Sequence, residues 1–176
     1  MSQWARVAMS APVRDDKMKQ DVFEILLYLF ENYVYEDGET EQDRDTLQQE
    51  LQSAGFRKRE IGLAFDWLES LTQAGLDGVK PLGAQSSSLR VYSSQECERL
   101  DTESRGFILF LEQMGVLDHT TRETVIDRVM ALDIDEVDLE QLKWVILMVL
   151  FNQPGNEAAA TWMEDIVIDE VAGQIH

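Results

Sequence analysis

Arg57, Lys58 and Arg59 form a run of three cations in a chain that carries 34 acidic side chains against 15 basic ones. Cations clustered on one element can neutralise phosphates. The run opens a helical pattern, so these residues are candidate nucleic-acid contacts, and Lys80 and Arg90 extend the patch if the chain beyond folds back as a wing. Two arguments oppose this. Positive charge is disfavoured at a helix N-terminus, and Glu60, Asp66 and Glu69 follow on the same helix. The net charge of −19 sets up a field that repels nucleic acid and acidic membrane surfaces, so nucleic acid is a disfavoured partner.

A second group, Asp133, Asp135, Glu136, Asp138 and Glu140, has the oxygen donors that a hard cation needs. Its first aspartates are two apart, as in an EF-hand, but Val137 stands at the fifth loop position and Asp138 at the sixth, where glycine is required. Capping the next helix is the better use for these carboxylates, and the acidic run from Glu36 to Asp45 reads as a solvated loop. The near-neutral candidates for nucleophilic or acid–base chemistry are Cys97, His119 and His176. Glu96 and Glu98 flank Cys97 and disfavour its thiolate, His119 lies beside a helix cap, and His176 is the last residue. Two histidines and one cysteine make neither a structural zinc site nor an intrachain disulfide. The expectation is a non-enzyme with no catalytic residues, cofactor or metal, in a reducing compartment such as the cytoplasm.

The elements that position these residues follow from apolar spacing and end signals. Val22, Ile25, Leu26, Leu29, Phe30 and Tyr33 form one stripe over 19–35, and a second helix over 44–54 ends at Gly55. A third, over 57–74, turns Ile61, Ala64, Phe65, Leu68 and Leu71 inward. Residues 1–17 read as a disordered extension. The glycine- and serine-containing stretch 76–88 reads as a linker, and Leu89 to Tyr92 alternates as a short strand would. Ser93 with Glu96, Thr120 with Glu123, and Asp138 with Gln141 each have capping-box spacing. Gly55, Gly75 and Gly115 each sit where a left-handed residue would close a helix.

Helices are expected over 102–114, 121–132, 139–152 and 157–171, the last with Trp162, Ile166 and Val167 on one side. Phe107, Phe110, Leu111 and Met114 share a face of the first of these, which makes it a core face or a partner groove. The longest apolar run, Trp144 to Phe151, is eight residues where about 20 would span a bilayer; it reads as a helix buried on all sides, and no membrane association is expected.

The blocks YLFENYVY from Tyr28, ECERLD from Glu96, RGFILFLEQMGVL from Arg105 and DLEQLKWVILMVLFNQPG from Asp138 together resemble the Smg family of bacterial proteins, over Met18 to His176. The resemblance implies a start near Met18 and brings no catalytic residues with it. In similar members the turn before the third helix is mixed in charge, so Arg57-Lys58-Arg59 departs from the pattern.

The resulting expectation is a mostly α chain. A three-helix, helix-turn-helix or winged-helix-like subdomain over 18–75 precedes a linker or wing over 76–92 and an acidic helical bundle over 93–176, with at most a short β-hairpin or wing. The expected role is a non-catalytic adaptor or regulator acting on an unidentified protein partner. The alternative is a winged-helix-like nucleic-acid-binding regulator using the helix that begins at Arg57.

Overall fold

A computed structural model describes residues 17–34, 44–76, 89–132 and 134–174. Among them lie eight helices and no strand: α1 (Lys17–Val34), α2 (Arg44–Ser53), α3 (Lys58–Leu76), α4 (Ser94–Arg99), α5 (Thr102–Gln113), α6 (His119–Met130), α7 (Leu139–Asn152) and α8 (Glu157–Gln174). The fold is mostly α, as expected. Residues 77–88 of the expected linker, Lys80 among them, with His176, Asp133, the acidic stretch 36–43 and residues 1–16, lie outside the described residues. Chain packing divides into two units, Met1–Glu69 and Ser70–His176.

In the first unit, α1 buries Val22, Phe23, Ile25, Leu26, Leu29 and Phe30. The Tyr28 hydroxyl donates to Glu50 Oε2 on α2 at 3.2 Å, and the Arg44 guanidinium lies 4.9 Å from the centroid of the Phe65 ring on α3. The α2–α3 turn is a Schellman closure: Gly55 adopts φ +103, its amide donates to the Gln52 carbonyl, and the Phe56 amide donates to Leu51. That geometry satisfies carbonyls the helix end leaves unpaired. The inward residues of α3 in this unit are Ile61, Ala64 and Trp67, with Phe65 and Leu68 only half-buried.

The second unit is built on α7, which packs against α5, α6 and α8. Asp138 and Gln141 form the expected capping box at its start, and from there Val145 to Leu150 are buried without interruption. Gly115 (φ +74) and Gly155 (φ +92) close α5 and follow α7. Among the described residues one parallel bridge joins Leu100 to Val137, with the Val137 amide donating to the Arg99 carbonyl at 3.0 Å. The inward stripe of α8 is Ala160, Met163 and Val167, while Trp162 and Ile166 are half-buried.

Three local expectations are corrected. Gly75 does not end α3, which continues through it to Leu76. Thr120 does not cap α6; Asp118 does, its side chain accepting from the Thr121 amide at 2.7 Å. An aspartate two residues upstream is at least as good a cap, and Glu123 is drawn instead to the distant Arg90 and to its neighbour Arg122. Leu89 to Tyr92 form no strand, because the Arg90 side chain ties this stretch to α4 and α6 rather than to a neighbouring backbone.

Candidate functional site

The basic run sits at the start of α3, with Arg57, Lys58 and Arg59 all exposed. Glu60 turns back beneath them: its Oε2 accepts from the Arg57 amide at 3.1 Å, and its side chain is almost fully buried. A carboxylate in the first turn offsets the unfavourable cations there, which leaves three positive heads in solvent above one buried acid.

Arg90 belongs to the second unit and is fully occupied. Nη2 and Nη1 donate to the two oxygens of Glu96 at 2.8 and 3.0 Å, while Nε and Nη2 donate to Glu123 at 2.8 and 3.0 Å. Both pairs are bidentate, the strongest arrangement available to a guanidinium. Arg122, itself buried, continues the chain to Glu123 Oε1 at 2.8 Å and to Glu112 Oε1 at 2.5 Å. The hydrogen bonds from Arg90 hold the Glu96 carboxyl at about 2, against an ordinary 4.5. Burial pushes Glu123 up, but the hydrogen bonds from Arg90 and Arg122 outweigh it and leave that carboxyl below its usual range. Two arginines and three glutamates from α4, α5, α6 and the segment before α4 thus form one internal network. Beside it, burial raises Tyr92, whose ring carries the Arg90 guanidinium at 4.8 Å and that of Arg105 at 5.9 Å.

The remaining sequence candidates are not gathered into one centre. Among the described residues no group of three His, Cys, Asp or Glu side chains could hold a metal. Asp138 is engaged in its capping box. Cys97 is exposed on α4 and accepts from Arg105 Nη1. His119 is exposed at the first position of α6.

Exposure settles the question left open for Phe107, Phe110, Leu111 and Met114. Leu111 is buried, Phe107 half-buried, and Phe110 and Met114 stand 45% and 59% exposed, so the stripe straddles the edge of the core. The inward side of α5 is formed by Ser104, Ile108 and Leu111. The Phe107 and Phe110 rings stack with centroids 6.3 Å apart, and the Lys143 ammonium of α7 lies 5.3 Å from the Phe107 centroid. On the other flank, Leu109 (38% exposed) and Gly106 join Leu89, Tyr92 and Arg105 around an open groove of about 310 Å³. Of the eight large apolar side chains exposed among the described residues, Leu89, Val91, Leu109, Phe110 and Met114 lie on α5, at its C-cap or in the segment before α4.

Sequence reading missed both the network around Arg90 and Gly106. A mid-helix glycine costs about 1 kcal/mol relative to alanine, yet a Cβ built here meets nothing within 4 Å. Neither its backbone conformation nor its neighbours within the chain require it. The signal that could have found it is a glycine inside a helical pattern that no turn explains.

Comparison with known proteins gives no solved structure that matches. A family model described as "Protein of unknown function (DUF494)" matches residues 22–176. The Protein Smg homolog of Nitrosococcus oceani is 53% identical over 159 residues, covering 90% of this chain and all of that protein. Those of Alkalilimnicola ehrlichii and Thioalkalivibrio sulfidiphilus are each 54% identical at the same coverage. On the strength of the helical blocks, the matched length and these identities, this chain belongs to the DUF494, or Smg, family.

Proposed function

We propose that this chain is a cytoplasmic, non-catalytic adaptor or regulator that binds another protein through the outward side of α5. The observation that supports this most is the concentration of solvent-facing apolar side chains there: Leu109, Phe110 and Met114, with Leu89 lining the groove. Singly exposed hydrophobics are ordinary, but a contiguous group is the mark of an interaction surface. Each such side chain contributes about 1.5–3 kcal/mol when a partner removes it fully from water. No helix among the described residues is long and apolar enough to cross a membrane.

Site-specific photo-crosslinking in the host cell tests this reading. A benzoylphenylalanine at position 109 or 110 is expected to capture one discrete protein, whereas the same group at Thr161, exposed on α8, captures none. Leu109→Asp combined with a crosslinker at position 114 should lower the yield at least tenfold. Failure to form an adduct from any α5 position would overturn the proposal.

A second reading has its own observation: the three exposed cations stand at the start of α3, the helix that follows the glycine turn after α2. As a nucleic-acid-binding regulator, the chain would bind a duplex oligonucleotide weakly, and less well in 200 mM than in 50 mM salt. The triple change Arg57→Glu, Lys58→Glu, Arg59→Glu keeps a favourable helix start, and on this reading reduces affinity by about tenfold or more. Equal anisotropy titrations for both proteins would remove α3 as a nucleic-acid element.

A further inference from the structure

We infer that the stripe Glu103, Phe107, Phe110, Met114 receives a basic amphipathic helix of a partner protein, whose backbone comes closest at Gly106. The inference rests on reading α5 as a docking face and adds the chemistry of what docks there.

The shape of the occupant follows from spacing. These four residues are 4, 3 and 4 apart, which places them on one line of the helix surface about 16 Å long. The core line of α5, Ser104, Ile108 and Leu111, is different. Rows at this spacing are what one helix offers another when ridges enter grooves, and partner helices read them through anchors of the same period. No strand exists among the described residues, so none of them offers a sheet edge for an extended segment to join. The stacked Phe107 and Phe110 rings, with Lys143 against the face of the first, form a preset ledge, and little side-chain freedom is lost on contact.

Gly106 supplies the independent observation. Its cost to α5 brings no gain inside the chain, because the space a methyl would occupy is empty. Gly62 in α3 is open in the same way; Gly106 differs in lining the groove beside exposed apolar side chains, where it admits the close approach of an outside backbone. Gly106 is exposed and stands one turn from both Glu103 and Phe110, beside the stripe on the flank that faces the groove.

Charge selects the sign of the partner. Glu103 is exposed and meets no cation within 4.0 Å among the described residues, and the same holds for Glu98 on α4. The cations nearby are committed: Lys143 is buried over Phe107, and Arg105 is held on Tyr92, Thr102 and Cys97. With a chain charge of −19 behind them, the carboxylates attract lysine or arginine flanking the partner's apolar face. A second copy of this chain would bring the same glutamate and the same negative field to a self-complementary contact, so it fits poorly.

Amide shifts of the full-length, ¹⁵N-labelled chain test the inference with two capped 18-residue peptides. Both have leucine at helical spacing; one is filled with lysine and the other with glutamate. The lysine peptide is expected to bind one-to-one, with saturable shifts centred on Glu103, Gly106, Phe107 and Phe110, and at least tenfold more tightly than the glutamate peptide. Gly106→Leu favours helix and so preserves the fold, and it should weaken the lysine peptide at least tenfold. Shifts scattered over α4, α6 and α8 and indifferent to Gly106→Leu would overturn the inference. Equal binding of both peptides on α5 would also overturn it, while leaving the protein-docking reading intact. If neither peptide binds but positions 109 and 110 still crosslink a protein in cells, the inference falls alone; if crosslinking also fails, both fall.

Discussion

Replacing Ile146 by alanine is expected to lower the unfolding free energy of the second unit by about 2–5 kcal/mol. Ile146 is completely buried in the middle of α7, with Val145, Leu147, Met148, Val149 and Leu150 buried around the same two turns. From Val145 to Leu150 the helix is buried on every side and has no solvent-facing direction in which to relax. The lost contacts are therefore joined by the cost of a residual cavity. Phe151 on the same helix, 37% exposed, is the internal comparison: its truncation should cost well under half as much, although more atoms are removed. Urea titrations followed by circular dichroism measure both. A loss below about 1 kcal/mol for Ile146→Ala, or an equal loss for the two variants, would mean that α7 is not the centre on which α5, α6 and α8 are assembled.

The legibility of α7 and the illegibility of the α5 surface have one physical origin. Signals that act within a turn of chain can be read from a single sequence. Ser93 with Glu96 and Asp138 with Gln141 cap their helices as their spacing demands, and Gly55 and Gly115 close theirs. The unbroken run 144–151 could be read because no amphipathic arrangement accommodates it. Where a distant partner competes, local reading fails. Glu123 stands at the right distance to box with Thr120, but it lies 33 residues from the arginine that takes it, and the helix start moves to Asp118. Arg90, which reads as a wing cation, is neutralised by the same carboxylate and by Glu96.

Periodicity also has a built-in ambiguity. Phe107, Phe110, Leu111 and Met114 satisfy a helical face whether that face meets a core or a partner, and only exposure separates the two. The answer is mixed within one stripe, because Leu111 points inward while Phe110 and Met114 do not. The basic run at the start of α3 could be located from sequence. Its solvent exposure and the buried glutamate beneath it could not.

Acid should weaken the second unit between about pH 4.5 and pH 2, and Glu96→Gln should remove much of that loss. The carboxyl of Glu96 is held at about 2 in the folded chain against 4.5 for an unperturbed group. A depressed folded value means the unfolded chain takes up the proton first. The stabilisation is therefore fully present above the unfolded value and disappears as pH falls through the folded one. The displacement corresponds to about 2–3 kcal/mol after a discount for a side chain 15% open to water. Glu123, lowered by the hydrogen bonds of Arg90 and Arg122 against the opposing effect of burial, titrates in the same direction. Glutamine keeps the shape of Glu96 but carries no charge to answer Arg90. At pH 7 the variant is thus expected to be about 2–3 kcal/mol less stable. Its further loss from pH 7 to pH 3 should be smaller than that of the natural chain by about 2 kcal/mol, as read from denaturant titrations at the two pH values. Parallel pH profiles for the two proteins would show that the Arg90–Glu96 pair makes no net contribution, and that the network from Arg90 to Glu112 holds its shape by packing alone.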